Sequence, residues 1–146
     1  MSDTVLEGGC GCGAVRYTST AAPAITGLCH CRDCQHDSGT GHAAHIALPA
    51  DAVTITGELR FWDKPADSGN VVSRGFCPTC GSSVASRNAA MGGMIFIRAG
   101  SLDDVSAFAP QVVVYASRAP AWDHVDPNLP SFAEMPPSAA MPDGMD

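Results

Sequence analysis

Short apolar segments rich in β-branched residues recur along the chain, separated by turn signals such as Gly57-Glu58 and the stretch "ADSGN". Near-alternation of apolar and polar side chains is typical of strands that bury one face. The pattern predicts nine strands, at residues 14–18, 24–29, 43–48, 53–56, 59–62, 71–76, 83–87, 94–98 and 111–115. We therefore predict a mainly β fold with little helix.

Helical periodicity is poor, and only two helical turns are predicted, at residues 32–35 and 102–105, the second with Ser101 as its cap. More than half of the eleven prolines follow Ala119. We therefore expect one β domain at residues 1–118. A Pro-rich C-terminal tail at residues 119–146 packs on this domain or trails from it, with Trp122 and Phe132 as its expected anchors.

Charge and composition narrow the function classes. The chain has 146 residues and a formal net charge of -7, with one lysine and seven scattered arginines. No basic run is present, which argues against nucleic acid and against an anionic membrane surface as partners. No apolar run approaches the ~20 residues that span a bilayer. The stretch "MSDTVLEGG" lacks the features of a secretory signal, so we expect a cytoplasmic protein.

Seven cysteines, an odd number, are expected to bind metal in a reducing compartment rather than to form a disulfide scaffold. Cys10 and Cys12 form a C-x-C pair and Cys77 and Cys80 a C-x2-C pair, each followed by a glycine that tolerates a tight turn. Between these pairs lies the stretch "CHCRDC", which ends at Cys34. Its three cysteines could cap one face of a tetrahedral metal ion, leaving the fourth position to a histidine, a water or an incoming ligand.

Spacing alone also allows another partition, in which Cys31 and Cys34 join Cys77 and Cys80 in a ribbon-like zinc site, although the gap of 42 residues exceeds the common one. A thioredoxin-like redox role for either C-x2-C pair is disfavoured because no βαβ pattern surrounds it.

Four stretches, "GGCGCGAVRY", "CHCRDCQHDSG", "FCPTCGSSV" and "AGSLDD", resemble the glutathione-dependent formaldehyde-activating enzyme family in order and in spacing, from about Glu7 to Trp122. The resemblance implies an Mss4-like fold of short antiparallel strands with two zinc ions per chain. It implies a structural zinc at Cys10, Cys12, Cys77 and Cys80, and a second, labile and catalytic zinc at Cys29, Cys31 and Cys34.

The activity that the resemblance implies is carbon–sulfur lyase chemistry on a small thiol adduct, with formaldehyde and glutathione as the founding pair. A zinc held by three thiolates accepts a further thiolate, or it polarises a carbonyl. Two hypotheses compete with this one. All seven cysteines could be structural, with His30 or His36 completing the second site in a module that binds a protein partner, or the labile site could be a zinc or thiol sensor.

The other polar residues near the cysteines carry weaker expectations. His30 is expected to point away from the metal, and at most one of His42 and His45 is expected to face it. The backbone of the turn "SGTG" could hold an anion, although a plain turn is the simpler interpretation.

Two arginines, Arg74 and Arg87, could bind a substrate carboxylate. The acidic Asp37 stands where basic residues are common in the family, which suggests a substrate less anionic than glutathione, or a different thiol.

Overall fold

The computed structural model describes residues 3–136 and contains two sheets and one short α-helix within that part of the chain. The helix is α1 (Arg32–Ser38). The strands are β1 (Leu6–Gly9), β2 (Arg16–Ser19), β3 (Ile25–Cys29), β4 (Ala43–Pro49), β5 (Val53–Thr56), β6 (Arg60–Pro65), β7 (Val71–Phe76), β8 (Ser83–Asn88), β9 (Met94–Arg98) and β10 (Val112–Val114). Five single turns of 3-10 helix are Ala50–Ala52, Ala89–Met91, Ala99–Ser101, Val105–Ala107 and Ala116–Arg118. The mainly β fold is therefore confirmed.

The strands form a three-stranded sheet in the order β1-β2-β5 and a seven-stranded sheet in the order β10-β3-β4-β9-β8-β7-β6. All pairs are antiparallel except β10 and β3, which run parallel. One core cluster contains Tyr17 from the small sheet together with Ile46 and Ile97 from the large one, each at most 1% exposed. The two sheets therefore share a hydrophobic core, whose burial is the main source of stability.

Two details of the predicted secondary structure are wrong. The strand β1 was not predicted, because two of its four residues are glycines and Leu6 is its only apolar side chain. The predicted helical turn at residues 102–105 is replaced by two 3-10 turns on either side of Leu102. Asp104 caps the second of them, while the Ser101 hydroxyl bonds to the Arg98 carbonyl instead. No described helix is long and apolar enough to cross a membrane.

The first part of the tail, up to residue 136, packs on the edge strand β10. The backbone N–H of Val113 donates to the Pro130 carbonyl, and the N–H of Phe132 donates to the Val113 carbonyl, each at 2.9 Å. Trp122 is 66% exposed and does not anchor the tail as predicted. The neighbouring Asp123 does so instead, because its carboxylate Oδ2 accepts from Nδ1 of His42 at 2.7 Å. Residues 137–146 lie outside the described part of the chain.

Candidate metal centre

Two hairpin loops, one from each sheet, bring four cysteines together. Cys10 and Cys12 lie in the loop between β1 and β2, and Cys77 and Cys80 lie in the loop between β7 and β8. The four sulfurs lie within 4.8 Å of one another. Cys77 and Cys80 therefore lie with the N-terminal pair and not with Cys31 and Cys34, as the ribbon-like partition would require. An ion held here would join the two sheets.

The geometry of this four-cysteine cluster fits zinc. The Cys12 sulfur lies 3.6 Å from that of Cys10 and 3.8 Å from that of Cys77. Zinc–sulfur bonds of about 2.3 Å in a tetrahedron place the sulfurs about 3.8 Å apart. The backbone N–H of Val15 donates to the Cys10 sulfur at 3.2 Å, which stabilises the thiolate form that a metal needs.

The glycines that follow each pair have the backbone angles that the sequence suggested. Gly13 and Gly81 have φ angles of 81° and 79°, where a residue with a side chain is strained. These two glycines let the loops turn tightly enough for the paired sulfurs to converge.

The other three cysteines form a second cluster where β3 ends and α1 begins. Cys29 is the last residue of β3, Cys31 is the N-cap of α1, and Cys34 lies in the first turn of the helix. The Cys31 sulfur accepts the N–H of Cys34 at 3.3 Å. Among the described residues, the donor atoms that converge here come from these three cysteines alone.

The thiols of this cluster differ in pKa. Hydrogen bonds from the Cys29 and Cys34 thiols, with help from the Cys34 N–H and from Arg74, lower the pKa of Cys31 to about 2. The pKa of Cys29 is raised, chiefly by the neighbouring Cys31. These hydrogen bonds favour the thiolate form of Cys31, which is the form that a soft cation such as zinc binds.

The histidine nearest to this cluster, His45, is held in one tautomer. Arg98 Nη1 lies 3.0 Å from His45 Nδ1, and a guanidinium only donates, so Nδ1 carries no proton. The ring proton is therefore on Nε2, which lies 3.4 Å from the Cys34 sulfur and donates to it. Burial, and then Arg98, lower the pKa of His45 well below its usual value, so the ring is neutral. A protonated Nε2 cannot bind a metal, so His45 is not the fourth ligand in this arrangement.

Two further histidines, His30 and His36, have partners other than the three sulfurs. His30 Nδ1 donates to the Gly41 carbonyl at 2.9 Å and lies 3.2 Å from Asp123 Oδ2. His36 is exposed and lies against Arg32. Neither histidine completes the three-cysteine cluster, so no fourth donor atom joins the three sulfurs among the described residues.

A buried ion pair beneath the cluster was not predicted from the sequence. Arg98 Nε donates to Asp37 Oδ2 at 2.7 Å, and the two side chains are 8% and 7% exposed. The charge of Asp37 is therefore neutralised inside the protein, and it gives no reason to expect a less anionic substrate. The signal for Arg98 in the sequence is a lone cation that ends the apolar stretch "MIFIR".

The turn "SGTG" is the C-terminal cap of α1, as the plain interpretation holds. Gly39 has a φ angle of 77°, and its N–H donates to the Gln35 carbonyl at 2.8 Å. The N–H of Thr40 bonds to the Ser38 hydroxyl at 3.2 Å. These donors are already used within the chain, so the turn offers no evident anion site.

A cavity of about 580 Å³ opens beside the three cysteines. This volume lies within the range of sites that take small organic ligands. Arg74, Tyr115 and Arg118 line it together with apolar side chains from β3, β4, β9 and β10. The three-cysteine cluster therefore has access to a space in which a small molecule can sit.

The fold and the site define a small β protein with two cysteine clusters that could each hold a metal, one with four sulfurs and one with three. The model of the glutathione-dependent formaldehyde-activating enzyme family matches residues 5–118, and the chain belongs to this family. A crystal structure of a Rhodobacter sphaeroides protein, a structural genomics target, is similar with a TM-score of 0.55 and 15% identity. The similarity covers 87% of this chain and 99% of that one, and it shows a shared fold. No curated protein matches the chain.

Proposed function

We propose that this protein is a zinc-dependent carbon–sulfur lyase that acts on a small thiol adduct, as an S-hydroxymethylglutathione synthase does. The observation that supports the proposal is the three-cysteine cluster, which faces a cavity and has no fourth ligand among the described residues. We further propose a cytoplasmic location, where thiol substrates such as glutathione stay reduced.

The reaction joins a thiol to an aldehyde without any oxidation or reduction. One carbon–sulfur bond forms, and the thiol proton has to reach the carbonyl oxygen, either directly or through solvent and protein. When bound at Cys29, Cys31 and Cys34, zinc supplies Lewis acidity that favours a thiolate at neutral pH. The chain's own residues have to place the two reactants and provide a proton for the oxygen.

Among the described residues, we propose Tyr115 as the one that provides this proton. It packs against the buried cluster of Cys29, Cys34 and Ala43 and lines the cavity. It is the only described residue other than glycine with a positive φ, 55°, and such strain is common at functional sites. Burial, and then the charges of the cysteines, raise the pKa of Tyr115, so its hydroxyl keeps the proton at neutral pH. The sequence shows no signal for this role.

Replacing Tyr115 by phenylalanine is expected to lower the rate of adduct formation about 100-fold, the usual contribution of a positioned proton donor. Binding of the thiol alone should stay within about threefold, since the ring remains and only the hydroxyl is lost. Stopped-flow rates and thiol titrations of the zinc-loaded protein measure the two effects. Tyr17→Phe is the matched control, because that hydroxyl bonds to Ser101 in the core and lies outside the cavity. A Tyr115→Phe variant with the full rate would remove the tyrosine from the mechanism.

The open site itself is tested by counting metal. We expect about two zinc ions per chain, falling to about one after brief dialysis against a mild chelator, with the fold intact. Cys31→Ser should hold about one zinc from the start and show no activity in a screen of thiols with aldehydes. His36→Ser, a change of an exposed residue on the same helix, should keep both ions. A single zinc in the wild type, or two that both resist the chelator, would contradict the open site.

A non-catalytic module that binds a protein partner is the second candidate function. The observation that favours it is Trp62, which is 58% exposed on the edge strand β6, where a partner strand could pair. Under this function the second zinc would resist removal, and no thiol would perturb it.

A further inference from the structure

The two acidic residues that line the cavity each form an ion pair with a cation of the same lining. Lys64 bonds to Asp33, and Arg118 bonds to Asp67 at 2.9 Å. Both acidic residues that line the cavity are thereby neutralised. Three cavity cations, Arg32, Arg74 and Arg87, have no ion pair in the described part of the chain, although Arg32 bonds to the Gln35 side chain. The cavity therefore carries a surplus of positive charge and no unpaired carboxylate.

Arg74 differs from the other two in its burial. The Nε atom of Arg74 is fully buried and has no hydrogen-bond partner among the described residues, whereas Arg32 and Arg87 are exposed residues. A buried N–H that belongs to a cation is costly to leave without an acceptor. Arg74 lies on β7 opposite Ser86 of β8. The Ser86 hydroxyl already accepts a hydrogen bond from Arg98 and not from Arg74. No described side chain accepts from this Nε atom, and Arg74 lines the cavity, so a ligand there can supply an acceptor to its guanidinium.

The uncharged lining of the cavity has a polar part, which includes Ser68, Asn70 and Asn88, and a larger apolar part. Strands β3, β4, β9 and β10 contribute Ile25, Ala47, Phe96, Val112 and Val114 to it. A ligand that fills this space has to leave its polar groups without hydrogen bonds wherever it touches these side chains, and each such group costs free energy. Glutathione carries two peptide groups, an ammonium group and two carboxylates. Among the described cavity cations, Arg74 alone has a buried donor that lacks an acceptor, so it can match one of these carboxylates and not both.

We propose that the cavity selects a thiol, or its adduct, with an apolar body and a single carboxylate, and that Arg74 binds this carboxylate. The proposal rests on the proposed function, because it places the sulfur of the same ligand at the three-cysteine site. A guanidinium binds a carboxylate through two parallel hydrogen bonds, and one arginine balances one carboxylate. Arg74 is thus the residue that determines specificity, while the apolar strands exclude more polar thiols.

Binding of matched thiols to the full chain, with cobalt in place of zinc, tests the proposal. Thiolate coordination to cobalt produces charge-transfer absorption, so the readout is independent of activity. The probes are mercaptohexanoate, mercaptohexanol and glutathione. We expect mercaptohexanoate to bind about 10- to 100-fold more tightly than mercaptohexanol, as a charge-assisted pair allows, and more tightly than glutathione.

Arg74→Met should abolish the preference for the carboxylate and leave the affinity for mercaptohexanol unchanged. Arg60→Met removes the same charge from an exposed residue outside the cavity and should preserve the preference. The proposal would be overturned if Arg74→Met kept the preference for the carboxylate, or if it lost the same affinity for mercaptohexanoate and for mercaptohexanol. Tighter binding of glutathione than of mercaptohexanoate to the wild type would also overturn it. None of these results would contradict the open site. If none of the three thiols changes the cobalt spectrum of the wild type, the proposed function fails as well.

Discussion

Replacing Cys77 by serine is expected to leave a chain that does not fold under ordinary conditions. Cys77 is fully buried, and its sulfur belongs to the cluster that joins the hairpin loops of the two sheets. Structural zinc binding contributes about 10–16 kcal/mol in small domains, which is as large as the whole stability of most domains, about 5–15 kcal/mol. Losing an ion held at this cluster would therefore remove more free energy than a shared core of this size can replace.

Far-UV circular dichroism and zinc content of the purified variant measure this loss. Cys31→Ser is the matched control, since it makes the same chemical change at the cluster that lies within one sheet and one helix, and it should stay folded. Because an insoluble Cys77→Ser variant could not be measured, wild-type protein treated with a strong chelator provides a second measurement. Its circular dichroism should collapse as the last zinc leaves. A folded Cys77→Ser protein with an unchanged melting temperature would show that this cluster is not structural.

The sequence predicted those parts of the molecule that follow from local patterns. Eight of the nine predicted strands overlap observed ones of similar length, because alternation is a local property, and β10 lies within the ninth. The helical turn predicted at residues 32–35, inside the cysteine stretch, is also observed, because α1 begins at Arg32.

The parts that could not be predicted depend on pairs of residues far apart in the chain. The tautomer of His45 is set by Arg98, which is 53 residues away in sequence, and the anchoring of the tail by Asp123 depends on His42. The strained backbone of Tyr115 follows a strand that pairs in parallel with β3, a topology that no alternation reveals. Long-range hydrogen bonds of this kind have no periodic signature in a sequence.

Replacing Arg98 by methionine is expected to lower the free energy of unfolding by about 3–5 kcal/mol. The change leaves the carboxylate of Asp37 buried without its cation, and it removes the donors to His45 and to Ser86. An uncompensated buried charge costs far more than the lost attraction between two exposed ions. Denaturant unfolding at a fixed zinc concentration measures the loss as a lower midpoint with an unchanged slope.

Arg16→Met is the matched control, because Arg16 pairs with Asp103 at the surface and both side chains are 43% exposed. That change should cost at most about 1 kcal/mol. The double variant Arg98→Met with Asp37→Asn should recover part of the loss, since no charge is then left buried without a partner. The ion pair would be unimportant if Arg98→Met cost no more than Arg16→Met. The loss of unfolding free energy in the double variant could instead equal the sum of the losses in Arg98→Met and in Asp37→Asn. The cost of Arg98→Met would then come from the hydrogen bonds to His45 and Ser86.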